Sequence, residues 1–337
     1  MLKYCDSTNL SKHFGDFGGN DSVSETDFKR LNPDVEQIRR ILESAPFETE
    51  FRKILPAAGG CSLGVKKYYL KDGRVLYSAP SLAKRYNLAG QLALALLRGY
   101  KSVFIGTSLK EIALAAAGAC SQCGLDLQIM LSRELSRDSE LIRRLEEQGA
   151  RVDAVTCTQY LDLAYSSQEQ PFLSDPPYYV VSIEANYGIY PKPALTGVLA
   201  GLFGADLMDE LGQVEACVVP ITTGTEAIGV FKALVNTPCK LATSEQLIAQ
   251  EFHIIDADCY TISTRSSNNE QENTSLCPEL VNWWRQARVR RLGCDRLYNI
   301  DTGFLDFCHL SPTSARSAAL ALAAIECREL LVLEEEK

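Results

Sequence analysis

Ser81-Leu82-Ala83-Lys84-Arg85-Tyr86-Asn87-Leu88-Ala89-Gly90-Gln91 sets a lysine at the start of an apolar run, and Ile221-Thr222-Thr223-Gly224-Thr225-Glu226-Ala227-Ile228-Gly229 sets a short hydroxyl-rich turn between a strand-like and a helix-like segment. The first stretch predicts a helix over about 84–98 whose opening turn carries an amine. The second predicts a strand-to-helix loop whose free backbone N–H groups suit an anion of phosphate size. Taken singly, each has an ordinary reading. A Lys-Arg pair opening a helix is solvated charge, and a threonine before a helix is a cap.

Outward from Lys84 the chain alternates strand and helix patterns. Strands are predicted at Lys67 to Leu70, Ser102 to Ile105, Asp126 to Leu131 and Arg151 to Val155, with helices at Leu109 to Ala119 and Ser139 to Gln148. Such alternation gives a parallel sheet with helices on both faces. Leu88, Leu92, Ala95 and Leu96 fall on one face of the first helix, while Glu140, Arg143, Arg144 and Glu147 fall on the solvent side of another. A second set of strands follows at Tyr178 to Ile183, Ala216 to Pro220, Lys240 to Thr243 and Glu329 to Leu333. The polar run from Thr264 to Asn273 reads as an exposed loop, not as a domain linker.

With 337 residues, 46% of them hydrophobic, the chain is long enough to bury a large core. No run approaches the roughly 18 to 20 apolar residues of a membrane helix, and the opening Met1 to Asp6 lacks the apolar stretch of a signal peptide, so the expected location is cytoplasmic. A net charge of -9 argues against general nucleic-acid binding. Arg285, Arg288, Arg290, Arg291 and Arg296, near Trp283 and Trp284, read as a solvated helix face, with an anionic partner as the alternative. Twelve cysteines without a secretory signal read as reduced, buried small side chains. Cys120 and Cys123 have redox or metal-ligand spacing but no second pair, and His13, His253 and His309 are too scattered for a metal site or a triad. No metal is expected.

A lysine amine and a phosphate-sized loop together are what pyridoxal phosphate requires, since its aldehyde is held by a lysine and its phosphate by backbone N–H groups. Four collinear segments strengthen that pairing. They are His13-Phe14-Gly15-Asp16-Phe17-Gly18-Gly19, the helix opening with Asn87, Gly90 and Gln91 after Lys84, the segment Tyr187-Gly188-Ile189-Tyr190-Pro191-Lys192-Pro193, and the loop Thr223 to Phe231. In these the chain resembles the tryptophan synthase β-subunit family, within the fold-type II pyridoxal-phosphate enzymes. The resemblance implies two open, mostly parallel α/β sheets flanked by helices, with the cofactor in the cleft between two domains. Carried over, one domain comprises residues 1–49 and 83–193, the other 50–82 and 194–337.

It also implies site residues. Lys84 would carry the cofactor as a Schiff base and move the substrate's α-proton, with Asn87 one turn on beside the ring. Thr222, Thr223, Gly224, Thr225 and Glu226 would form the phosphate cup, although a carboxylate at 226 opposes an anion unless it points away. Thr107, Ser108 and Lys110 occupy the family's substrate-carboxylate loop. The family's catalytic glutamate falls on Gly106, which leaves Lys110 as a point charge for a carboxylate and Glu111 as a relocated acid. Ser311 to Arg316, including Ser314, resembles a segment of the cofactor cleft. Glu334 aligns where a serine usually meets the pyridine nitrogen, and is otherwise the start of a frayed acidic tail.

The expected activity is a lyase or synthase reaction in amino-acid metabolism, namely β-elimination or β-replacement on a small amino acid through an aminoacrylate. Diverged substrate loops on a kept scaffold suit specialised biosynthesis. The alternatives are a non-catalytic homologue serving as subunit or regulator, and an authentic tryptophan synthase β chain. A homodimer with a small amino-acid substrate is expected, with a partner subunit on the tryptophan synthase reading, and with neither nucleic acid nor membrane.

Overall fold

The computed structural model describes residues 40–107, 109–154, 178–181, 192–212, 214–221, 230, 233, 239–245, 252–255, 290–291 and 301–334. Helix α1 (Ala45–Ile54) opens at Ser44, whose hydroxyl accepts from the Phe47 N–H, and buries Phe47, Phe51 and Ile54. A hairpin follows, with β1 (Lys66–Tyr69) antiparallel to β2 (Val75–Pro80). Its turn is set by Asp72 and Gly73: the Gly73 φ of 87° lies in the left-handed region, and Asp72 accepts from the Arg74 N–H.

Helix α2 (Ala83–Leu97) leads to β3 (Ser102–Thr107), α3 (Lys110–Cys123), β4 (Asp126–Leu131), α4 (Ser139–Glu147) and β5 (Arg151–Ala154). Then come β6 (Tyr178–Val181), α5 (Lys192–Leu211), β7 (Ala216–Ile221), β8 (Lys240–Glu245), β9 (Phe252–Ile255) and β10 (Arg290–Arg291). A 3-10 turn at Gly303–Cys308 precedes α6 (Pro312–Ala324) and the last strand, β11 (Glu329–Glu334).

These strands form two sheets. One has four strands in the order β5-β4-β3-β6, all parallel. The other has seven, in the order β1-β2-β11-β7-β8-β9-β10. It is mixed: β2, β11, β7 and β8 run parallel, while β1, β9 and β10 are antiparallel additions. Two open sheets flanked by helices are as expected, with the larger one less uniformly parallel than the alternation implied. Its antiparallel edges come from the Asp72-Gly73 hairpin at one end and from β9 and β10 at the other, and the strand-helix alternation registers β1 but not its hairpin partner, β9 or β10.

The core explains why the central strands are apolar on both faces. In β11, Leu331 and Leu333 join a core with α1, α2, α5 and the four-stranded sheet, while Leu330 and Val332 join a second core beneath α6. Helix α2 departs from its expected amphipathic stripe, since every residue from Tyr86 to Ala95 is buried. It is enclosed because α1 and α5 both pack against it. A Cβ added at Gly90 would stand 2.4 Å from Leu199 Cδ2, so glycine is what lets α2 and α5 approach. Helix α4 keeps its expected exposed face of Glu140, Arg143, Arg144 and Glu147 over buried Leu141 and Leu145.

The basic cluster is corrected in part. Arg290 and Arg291 lie in a strand, opposite Ile254 and His253, and not on a helix face. Arg285, Arg288, Arg296 and the tryptophans lie outside the described residues, as do the segments containing His13 to Gly19 and Tyr187 to Pro191. Among the described cysteines all are free, and Cys61 alone is exposed. No helix among the described residues is long and apolar enough to cross a membrane.

Candidate active site

Three parallel neighbours, β2, β11 and β7, bring their C-terminal ends to one edge of the larger sheet. Pro80 stands opposite Glu334, and Val332 opposite Val218, which puts the end of β7 beside them. In open α/β sheets this edge is where ligands bind. After β2 the chain turns through Ser81 and Leu82 into α2, so Lys84 stands in that helix's opening turn above the same edge. The turn is fastened to β11, because the Ser81 N–H donates to the Glu334 carbonyl at 2.7 Å.

The Glu334 side chain is equally held. Its Oε1 accepts from the Ser78 hydroxyl at 2.8 Å, and its Oε2 from the Ser311 N–H at 3.1 Å. Ser311 caps α6: its hydroxyl accepts from the Ser314 N–H at 3.1 Å and lies 2.9 Å from the Ser314 hydroxyl. The frayed-tail alternative therefore fails for Glu334, which closes β11 between two neighbouring strands. Ser78, Ser311 and Ser314 form around it a polar cluster on the α6 face of the sheet, with Ser78 and Ser314 both buried.

Lys84 is partly buried, and Asn87, one turn on, is fully buried, its Oδ1 accepting from Gln91 Nε2 at 2.8 Å. Behind this turn lies a second polar knot. The Tyr86 hydroxyl donates to Asp206 Oδ2 at 2.7 Å, and Arg52 grips both Asp206 oxygens, at 2.5 and 2.9 Å. Burial first, and then the Asp206 carboxylate, push the Tyr86 phenol well above its ordinary value. The hydrogen bond from Arg52 to Asp206 raises the guanidinium further. This knot joins α1, α2 and α5 and fixes the helix that carries Lys84.

The expected substrate loop sits at the C-terminal end of β3, in the other sheet. Thr107 is buried and its Oγ1 accepts from the Leu109 N–H at 3.0 Å, a turn-forming bond. Lys110, the first residue of α3, donates to Asp138 Oδ2 at 2.7 Å, and Asp138 also accepts from the Leu141 N–H as the cap of α4. Those two donors, the Lys110 amine first, hold the Asp138 carboxyl below its usual range. Glu111 is exposed on the first turn of α3. Gly106 is buried in β3 and offers no side chain.

Ser108 and the loop Thr222, Thr223, Gly224, Thr225 and Glu226 lie outside the described residues; the chain leaves β7 at Ile221, immediately before that loop. Cys120 is buried in α3 and Cys123 half-buried beside it. Burial raises both thiols, and no group of acidic, cysteine or histidine side chains able to hold a metal occurs among the described residues. Sequence reasoning missed Ser78 and Asp138. The Asp72-Gly73 turn between two β-type runs was the signal for β2 and hence for Ser78.

No family model matches the chain. Solved structures do. A pyridoxal 5'-phosphate-dependent aspartate racemase is 14% identical over 85% of this chain and 94% of its own, with a TM-score of 0.51. An L-serine ammonia-lyase from the fungus Rhizomucor miehei is 10% identical over 80% and 92%, with a TM-score of 0.52. Maize serine racemase is 14% identical over 85% and 91%, also at 0.52. The fold is that of the fold-type II enzymes. At such identities the likeness carries the architecture and not the chemistry, which rests on this chain's own residues.

Proposed function

We propose that this chain is a pyridoxal-phosphate-dependent enzyme that carries out β-elimination or β-replacement on a small amino acid. The observation that carries the reading is the fastening of the Lys84 turn to Glu334, which sets an amine and a carboxylate on one sheet edge beside the end of β7. That donor set fits the cofactor. An amine answers an aldehyde and a carboxylate answers a ring nitrogen, and on the sequence reading Thr222 to Thr225, which follow the end of β7, would offer backbone N–H groups to a phosphate.

On this reading Lys84 holds the cofactor and moves the α-proton, Asn87 lies beside the ring, and Glu334 with Ser314 lines the ring-nitrogen side. Thr222, Thr223, Gly224 and Thr225 take the phosphate, and the reading requires that the Glu226 carboxylate not oppose it. Bound pyridoxal phosphate supplies an electron sink for the negative charge left at the substrate's Cα. Thr107, Ser108 and Lys110 receive the substrate carboxylate, and Glu111 is the nearest acid to that loop in sequence. The chain divides into 1–49 with 83–193 and 50–82 with 194–337, one sheet in each. Serine and aspartate, after which the neighbours are named, are the first substrates to try.

A non-catalytic homologue is the second reading. It is favoured by Gly106 in place of an acid and by the pairing of Lys110 with Asp138. One experiment separates the two. Purified protein is mixed with pyridoxal phosphate, reduced with borohydride, digested and mapped by peptide mass, then assayed for keto-acid release from serine, aspartate and O-acetylserine. Capture on Lys84 with turnover supports the enzyme, and capture without turnover supports the homologue. Capture on a different lysine, or none, refutes the cofactor reading.

A further inference from the structure

We infer that Ser78 is a positioning residue: its hydroxyl, together with the Ser311 N–H, locks the Glu334 carboxylate in the orientation that accepts a protonated ring nitrogen. The inference rests on the pyridoxal-phosphate reading above and adds to it what makes Glu334 selective.

Strand alternation puts Leu76 and Ser78 on the α6 face of β2, in the company of Ala216, Val218, Leu330 and Val332. A hydroxyl on an otherwise apolar face, with only 3% of its surface exposed, is costly there unless bonded. Ser78 meets that requirement by donating to Glu334 Oε1 at 2.8 Å, and the start of α6 supplies the donor to Oε2 at 3.1 Å. Donors from two separate elements, one on each oxygen, stop the carboxylate rotating. Each oxygen of an ionised carboxylate has two acceptor positions, so a third donor is still accommodated. A carboxylate already accepting on both oxygens pairs with a ring nitrogen that carries a proton. Alanine at 78 releases one oxygen and lets the side chain turn, while the Ser81 N–H bond to the Glu334 main chain is untouched.

The test uses full-length protein and two ligands, pyridoxal phosphate and its 1-deaza analogue, in which the ring nitrogen is replaced by C–H. Dissociation constants come from fluorescence quenching, and the nitrogen's protonation from the 15N shift of ring-labelled cofactor. The wild type is expected to prefer pyridoxal phosphate about tenfold or more, the scale of a charge-assisted hydrogen bond, and to show a protonated nitrogen. S78A should lose most of that preference while binding the analogue as the wild type does. S78T, which keeps the hydroxyl, should restore it. E334Q should abolish both the preference and the protonated shift without any change at Ser78.

A wild-type preference and shift retained in S78A overturn the inference, as do equal affinities for the two ligands in the wild type. That second result leaves the cofactor reading standing. Failure of both ligands to bind overturns the two together.

Discussion

Lys84 is the residue on which the proposed function turns, and its replacement separates cofactor capture from folding. Lys84→Ala should abolish borohydride capture of pyridoxal phosphate and leave the thermal midpoint nearly unchanged, because the lysine is only partly buried in an opening helical turn. Peptide mapping and a thermal scan read both. Tyr86, two positions on, makes a pH prediction. Burial and Asp206 raise its folded pKa above the ordinary 10.0, so its contribution to stability is complete below about pH 10 and is lost as the pH rises through that range. Tyr86→Phe should flatten the alkaline limb of the stability curve measured by denaturant titration. An unchanged limb would mean that another group sets it. The thiols divide in the same way. Cys61 is exposed, whereas burial raises Cys120 and Cys217 far above a free thiol and holds Cys239 at about 12. Among these four, brief alkylation of native protein near neutral pH should label Cys61 and spare the others, as read by mass spectrometry.

At the scale of elements, the contact of α2 with α5 has the least tolerance. Helix α2 is buried all round, and Gly90 is its point of closest approach to Leu199. Gly90→Val should cost about 1–3 kcal/mol in a denaturant titration, because the added atoms drive Leu199 off its rotamer. A neutral result would show that α5 slides to make room. Much of this level was legible in the sequence. The run Asp126 to Leu131 and the polar stripe of α4 are local patterns of period two and period 3.6, and the structure keeps both. Strand β2 gives a weak local signal, since Val75 to Pro80 has a buried serine where a strand covered on both faces is expected to be apolar throughout. The full burial of α2 was equally hidden. An Ala- and Leu-rich helix looks the same on one wall as between two.

For the whole molecule, the position of Gly106 decides which reaction would be slow on the proposed reading. It is buried in β3, one residue from the strand's end, where the resembling family carries an acid, and Lys110 beyond it is paired with Asp138. General acid-base assistance contributes about 10² to 10⁴ in rate, so serine with indole should give little tryptophan, and a better leaving group such as that of O-acetylserine should react first. Assays of pure protein with both donors check this. Tryptophan formation as fast as O-acetylserine consumption would refute it.

The alternation of strands and helices, the lysine at the mouth of α2 and the apolar identity of β11 are legible in the chain alone, because each is a pattern within one short segment. That Glu334 belongs to the sheet edge emerges with the assembled fold. The bonds that hold it come from Ser78 and Ser311, residues brought together by the parallel pairing of β2 with β11 and by the packing of α6. The same is true of Lys110 with Asp138 and of Tyr86 with Asp206 and Arg52. A polar side chain carries no local mark of its partner. Burial selects the partner, through the cost of leaving a donor or a charge unmet, and burial is a property of the assembled fold.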